Sequence, residues 1–183
     1  MKKYVYLLAI VAFFSCKENA PETKTAPSQS VEEVTPQQRD LNETNTTVEV
    51  VFEDEKFTEI YNAYLDLKAS LVNTDASKAK EAAIAMSAKV GEKYKAENLQ
   101  EALGALQGSA TVKELRIAFE NVSAIVENLI ADNKIISGAV YKQYCPMAFN
   151  GKGAYWLSNS NEVRNPYFGD QMLKCGVVEK EIK

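Results

Sequence analysis

The sequence contains no histidine, and this absence excludes several kinds of site at once. Catalytic groups that use an imidazole base, imidazole metal ligands and the common pH switch near neutrality all need that side chain. Basic residues are not in excess either, since 21 Lys and Arg stand against 25 Asp and Glu in 183 residues. A formal net charge of −4 gives no basic surface for nucleic acid, so we expect no nucleic-acid partner.

Enzyme motifs are also lacking. The sequence has neither a nucleophile elbow nor a glycine-rich phosphate-binding loop. Acidic residues are plentiful, but most fall on predicted solvent-exposed faces or in a polar N-terminal segment, where a carboxylate is simply solvated. We therefore predict that the protein is not an enzyme. The reactive atoms that remain are sulfurs, in three cysteines and four methionines.

The N-terminus has the pattern of an export signal. Lys2 and Lys3 precede an uncharged apolar run over 4–14, which is shorter than the about 20 residues that a membrane-spanning helix needs. The following Phe13-Phe14-Ser15-Cys16 resembles a bacterial lipobox, in which the cysteine becomes the lipidated first residue. We predict a signal peptide over 1–15 and a bacterial envelope lipoprotein anchored at Cys16. The outer membrane is the expected location, with the protein facing the periplasm or the cell surface. An ordinary signal peptide with an incidental cysteine is the alternative.

The remaining chain divides into a tether, a helical region and a C-terminal cap. Prolines and polar residues dominate 16–50, a composition typical of a disordered tether that begins at the lipidated cysteine. Apolar residues at helical spacing follow over 51–136, with Asp75 as a candidate N-cap and Thr111 to Glu114 as a capping box. We predict a mainly α fold, an antiparallel bundle of about four helices, with a small cap of strands and loops over 137–183. The cap is expected to pack on the bundle as one domain.

Four sulfur-bearing residues flank two strand-like runs of the cap. Cys145-Pro146-Met147 follows the run 139–144, and Met172-Leu173-Lys174-Cys175 precedes the run 177–182. If these strands pair antiparallel, the four sulfurs converge. Thiolate and thioether donors select Cu(I), or Ag(I) as its mimic, over hard cations, whereas zinc prefers cysteine and histidine. The sequence therefore predicts a soft-metal site at Cys145, Met147, Met172 and Cys175.

A disulfide between Cys145 and Cys175 is the alternative interpretation. Two cysteines in an exported domain are the usual setting for such a bond. Closing a loop of about 30 residues would contribute on the order of 3 to 4 kcal/mol in the chain-entropy model. Inert thiols are a third interpretation. Metal binding and a reversible disulfide are compatible, because a reduced pair can hold an ion that an oxidised pair releases.

Five short motifs in fixed order resemble a family of Bacteroidetes-type envelope proteins of unassigned function. The same domain ends some periplasmic adaptor subunits of copper and silver efflux pumps. The resemblance covers about residues 53–182 and implies a helical bundle with a small cap, together with heavy-metal handling in the envelope. Its segments are Tyr64-Leu65-Asp66-Leu67-Lys68, Tyr144-Cys145-Pro146-Met147-Ala148, Gly151-Lys152-Gly153-Ala154-Tyr155-Trp156-Leu157-Ser158, Arg164-Asn165-Pro166-Tyr167-Phe168-Gly169 and Met172-Leu173-Lys174-Cys175-Gly176.

Five residues of this signature are expected to hold the sulfur-bearing ends in place, the supporting role that metal sites require. They are Trp156, Arg164, Asn165, Tyr167 and Phe168. The function we predict is a lipid-anchored envelope protein that binds a soft metal ion, Cu(I) foremost. It would buffer the ion or deliver it to a heavy-metal efflux or copper-handling partner. The alternative is a structural or protein-interaction domain that a Cys145–Cys175 disulfide stabilises without metal.

Overall fold

The computed structural model of the protein describes residues 39–95 and 98–183. The predicted signal peptide over 1–15, the lipidation site Cys16 and the first part of the predicted tether lie outside the described residues. Within the described ranges, no helix combines the length and the apolar character that crossing a membrane requires. The residues that the structure describes belong to one compact unit.

Three of the helices begin where a side chain caps free backbone N–H groups. The part of the chain that the structure describes contains α1 (Glu55–Val72), α2 (Ala76–Lys89), α3 (Glu92–Lys95), α4 (Leu99–Gly108), α5 (Val112–Ala131) and the short turn α6 (Ala148–Gly151). Asp54 caps α1, and Asp75 caps α2 by accepting a hydrogen bond from the backbone N–H of Lys78 at 3.0 Å. Thr111 and Glu114 form a reciprocal capping box at the start of α5. The predicted caps of α2 and α5 are therefore confirmed.

Two antiparallel sheets accompany these helices. The strands are β1 (Val51–Phe52), β2 (Ile135–Ser137), β3 (Val140–Cys145), β4 (Ala154–Ser158) and β5 (Val177–Ile182). β1 pairs with β2, and a second sheet has the order β4-β3-β5. The prediction of a mainly α bundle of four helices with a small cap is therefore wrong, although a helical core exists. β1 and β2 are two and three residues long, too short for an alternating pattern, and their pairing depends on contacts across the whole helical region.

One core joins the helices to the C-terminal sheet. The rings of Tyr64 on α1 and Phe119 on α5 stack with centroids 5.3 Å apart, and Phe119 also contacts Tyr167 at 5.9 Å. The buried Tyr64 hydroxyl forms a hydrogen bond with the Ser123 hydroxyl at 2.9 Å and accepts another from the backbone N–H of Leu157 at 3.0 Å. Because Leu157 lies in β4, this hydroxyl fixes the sheet to both long helices.

Residues 39–48, here named the strap, belong to the predicted tether but lie against the folded part of the protein. The backbone N–H of Leu41 donates to the Asn73 side chain at 2.9 Å, and Arg164 donates to the Glu43 carbonyl at 2.8 Å. The strap is held mainly by polar contacts, so an apolar pattern cannot reveal it. The folded part thus begins before the predicted start of the helical region.

The strap covers a buried lysine. Lys68 on α1 is only 2% exposed, and its ammonium group donates to the Asn42 side chain at 2.8 Å. Burial, followed by the positive charge of Arg164, lowers the pKa of Lys68 to about 7, although the Asp40 carboxylate acts in the opposite direction. An unfolded lysine keeps its ordinary pKa of 10.5. Between pH 10.5 and about pH 7 the unfolded state therefore binds a proton that the folded state does not bind, so the free energy of unfolding decreases as the pH falls through this range. Below pH 7 the penalty is constant.

We expect Lys68→Met to raise the free energy of unfolding at pH 7 by about 1–3 kcal/mol, because it removes a buried charge and keeps the side-chain length. Urea unfolding of both proteins at pH 7 and pH 10 measures this. The gain should shrink at pH 10, where the wild-type amine is neutral in the folded state. A variant that is less stable at pH 7, or a gain that does not change with pH, would contradict the interpretation.

Candidate site at the Cys145–Cys175 pair

Two cysteines lie in residues 137–183, here named the C-terminal lobe, and they meet where two strands pair. Cys145 ends β3, and Cys175 lies two residues before β5. β3 and β5 pair antiparallel, with Tyr144 opposite Val177, which is the arrangement that the predicted convergence required. The two Sγ atoms are 3.1 Å apart. The structure therefore brings the two thiols into direct contact.

Contact with Cys145 and burial both disfavour the thiolate form of Cys175. Cys145 is fully buried, and Cys175 is half-buried. The hydrogen bond with Cys145, and secondly burial, raises the pKa of the Cys175 thiol. Metal binding and disulfide formation both need a deprotonated sulfur. Either reaction at this pair must therefore release protons, and we infer that both are favoured by a rise in pH.

The two predicted thioether ligands lie on a groove beside the pair. Met147 and Met172 line a groove of about 820 Å³, and Met147 is 53% exposed. Met172 is linked to the pair by its backbone, since its carbonyl accepts a hydrogen bond from the Cys175 N–H at 2.9 Å. Neither Cys145 nor Cys175 is among the residues that line the groove. The structure thus brings the two thiols together and sets the two thioethers along a common groove.

Two residues of this groove have an unusual backbone. Phe149 and Asn150, which follow the Cys145-Pro146-Met147 run after one intervening residue, have φ angles of 50° and 61°. Asparagine tolerates this left-handed region, but a bulky residue such as phenylalanine adopts it only when its surroundings hold it there. The Phe149 ring packs edge-on against Tyr167, with centroids 5.2 Å apart. Sequence reasoning missed Phe149, and no local pattern identifies it.

Three of the expected supporting residues form the base of the site. Trp156 and Asn165 are fully buried, and Tyr167 is 5% exposed. The rings of Trp156 and Tyr167 meet edge-on, with centroids 5.9 Å apart. Asn165 donates a hydrogen bond to the carbonyl of Cys175 at 2.7 Å. The turn that carries Cys175 is therefore supported by the Asn165 amide and lies beside the packed rings of Trp156 and Tyr167.

The other two expected supporting residues have different contacts. The guanidinium group of Arg164 binds the carbonyls of Glu43 and Val163 and the carboxylate of Glu162, so it fixes the strap. Phe168 is half-buried and lines the groove together with the two methionines.

The donor set at this place is soft. Within the described ranges, no three Cys, Asp or Glu side chains lie close enough to one another to hold a metal ion. Beside the two thiols, Met147 and Met172 are the methionines of the C-terminal lobe. Thiol and thioether donors of this kind favour monovalent soft ions.

A comparison with models of protein families gives a match to the helical part of the chain. Residues 60–138 match the model of a family described as a protein of unknown function (DUF3347). The search of curated proteins found no match, and the search of solved structures found none either. The matched range runs from within α1 through β2 and ends before Cys145. The comparisons therefore relate the helical part of the chain to an uncharacterised domain family.

Proposed function

We propose that the protein is a lipid-anchored envelope protein whose Cys145–Cys175 pair binds a soft metal ion, Cu(I) foremost. It would buffer this ion or deliver it to an efflux or assembly partner. The observation that carries the proposal is the contact of the two sulfurs at 3.1 Å on paired strands. Two soft donors held this close act as a chelate, because the second sulfur is already in place when the first has bound.

Charge explains why the methionines would contribute. Two thiolates around a monovalent cation leave one excess negative charge, which is costly beside a fully buried Cys145. A thioether adds coordination without adding charge. Met147 has the freedom to reorient, because about half of its surface is exposed.

The N-terminal sequence and the signature motifs support the location and the partner. The run ending in Ser15-Cys16 resembles a lipobox, which favours a lipid anchor on the envelope membrane. The C-terminal motifs are similar to those of adaptor subunits of copper and silver efflux pumps, which favours a partner that handles heavy metals.

A competition titration tests the proposal. Reduced protein that was purified anaerobically is titrated with Cu(I) against a chromophoric Cu(I) chelator, beside the double variant Cys145→Ser and Cys175→Ser. We expect one ion per chain and a loss of affinity of more than about a hundredfold in the double variant, since even outer-shell partners of metal ligands contribute 10- to 100-fold.

Methionine variants provide the matched control for this titration. Met147→Leu with Met172→Leu should weaken binding by less than the cysteine variant does. Met86→Leu should leave affinity unchanged, because Met86 is fully buried on α2 and belongs to the helical core. Equal weak binding by the wild type and the double cysteine variant would refute the proposal.

The second candidate function is a structural or protein-interaction domain with a permanent disulfide. The same sulfur contact favours it, because the two atoms need to approach by only about 1 Å to reach a disulfide bond length. Intact mass after thiol alkylation, with and without reductant, distinguishes the two functions. A bond that opens only when the domain unfolds supports the structural function, whereas thiols that alkylate and bind Cu(I) in the folded protein support the metal site.

A further inference from the structure

We propose that Asn165 is a positioning residue of the thiol pair, which fixes the backbone of Cys175 and so sets how readily the two sulfurs form a disulfide. The inference rests on the thiol pair of the proposed function but does not require the metal. The hydrogen bonds of the Asn165 side chain go to backbone groups and not to a sulfur, so it acts through the backbone of Cys175.

The side chain of Asn165 is fully buried, and both ends of its amide group are paired. Its Nδ2 donates to the carbonyl of Cys175 at 2.7 Å. Its Oδ1 accepts from the backbone N–H of Tyr167 at 2.8 Å and from that of Phe168 at 3.3 Å. One amide therefore links the turn after Asn165 to the residue that carries the second sulfur.

The backbone of Asn165 closes the same loop. Its N–H donates to the carbonyl of Leu173 at 2.8 Å, and its carbonyl accepts from the N–H of Gly169 at 3.0 Å. The side chain and the main chain of one residue thus hold both ends of the segment between Asn165 and Cys175.

The two cysteines depend on this loop to different degrees. Cys145 lies within β3, where pairing with Ala154 on β4 fixes its backbone. Cys175 precedes β5 in a turn, so its position follows from the loop that Asn165 holds. Loosening that loop lowers the effective concentration of one sulfur at the other.

The equilibrium constant for forming the Cys145–Cys175 disulfide depends on this geometry. The two thiols lose two protons and two electrons and form one S–S bond. The electrons and protons reduce one low-molecular-weight disulfide, such as oxidised glutathione, to two thiols. A lower effective concentration of the sulfurs shifts this exchange toward the reduced protein.

Asn165→Asp tests the proposal, because it keeps the size and the two accepted hydrogen bonds and puts a carboxylate oxygen in place of the donor to Cys175. Variant and wild type are equilibrated, free of metal, in glutathione buffers of graded redox poise, and the oxidised fraction is measured by alkylation and mass. We expect the equilibrium constant for disulfide formation to fall at least about five- to tenfold, because the variant loses one buried hydrogen bond and sets a carboxylate oxygen against the Cys175 carbonyl. A tenfold fall corresponds to a potential about 30 mV less negative.

Asn159→Asp is the matched control. Asn159 lies in the same lobe and donates its Nδ2 to the carbonyl of Val48 at 3.1 Å, on the strap and away from the thiol pair. The Asn159→Asp variant should leave the equilibrium constant for disulfide formation unchanged. If Asn165→Asp does not fold, as judged by circular dichroism, Asn165→Ser is titrated instead.

Three results decide the inference. A fall confined to the Asn165 variant supports it. Equal falls in both variants, or no change in a folded Asn165 variant, would overturn it. Failure of the wild type to bind Cu(I) would refute the proposed function but leave this redox result valid, so the two failures are distinguishable.

Discussion

Gly176→Ala is expected to lower the free energy of unfolding by about 3 kcal/mol or more, the range of backbone strain combined with a core clash. Gly176 has a φ of +147° and lies between Cys175 and β5. An added Cβ would lie 2.8 Å from the carbonyl oxygen of Tyr144 and 2.9 Å from the Trp156 ring. Tyr144 belongs to the central strand and Trp156 is fully buried, so neither neighbour can move away.

Gly151→Ala is the control, because it separates backbone conformation from steric contact. Gly151 also has a positive φ, +86°, but open space surrounds the position of an added Cβ. We expect a cost of only about 1 kcal/mol there, from the backbone alone. Urea unfolding of both variants measures the difference in the free energy of unfolding, provided that the slope of this free energy against urea concentration is the same in both. Equal losses in the two variants would show that the contacts of Gly176 do not matter.

Trp156→Ala is expected to cost about 3–5 kcal/mol, the range for deleting a large aromatic side chain from a core. The Trp156 side chain has no exposed surface, and its ring contacts Tyr167 and closely approaches Gly176. It lies on the inner face of β4, directly across from Gln143 on β3. Removing it leaves a cavity under the sheet that carries the thiol pair.

Tyr155→Ala is the matched control, because it removes the neighbouring ring from the opposite face of the same strand. Tyr155 is 39% exposed, stands 4.5 Å from the Tyr144 ring and lies under the ammonium group of Lys142 at 4.2 Å. We expect a cost of about 1 kcal/mol from these surface contacts. Far-UV circular dichroism follows unfolding in both variants. A loss for Tyr155→Ala as large as that for Trp156→Ala would contradict the interpretation that the cost of Trp156→Ala comes from the buried position of its ring.

The starts of α2 and α5 were predictable because their signals are local. The capping box of Thr111 and Glu114 and the apolar stripe that follows it lie within one segment, and they locate α5 without any knowledge of its neighbours. The same holds for Asp75 at the start of α2. Each signal involves residues that are near in sequence and adjacent in space.

The two-stranded sheet and the strap could not be predicted in this way. β1 has only two residues, and its partner β2 lies about 80 positions away, after the whole helical region. The strap is held by side-chain and backbone hydrogen bonds to distant residues such as Asn73 and Arg164. Such contacts leave no periodic pattern of apolar residues.

The candidate site was predictable in part. The sequence places Cys145 and Cys175 beside two strand-like runs, and antiparallel pairing of those strands is enough to bring the sulfurs together. The groove that the two methionines share with Phe149 and Asn150 is formed by residues distant in sequence, so the spacing of the motifs does not predict it. The position of Asn165 within its own loop is a tertiary property.

The chain contains a single tryptophan, and it is Trp156. Its ring lies close to Gly176, the residue that follows Cys175. On β4, Trp156 lies two residues after Ala154, which pairs with Cys145. Indole emission is sensitive to nearby sulfur and to bound transition metals. All tryptophan emission of the protein therefore comes from Trp156. The intrinsic fluorescence of the unlabelled protein is thus a direct optical signal for the chemical state of the two thiols.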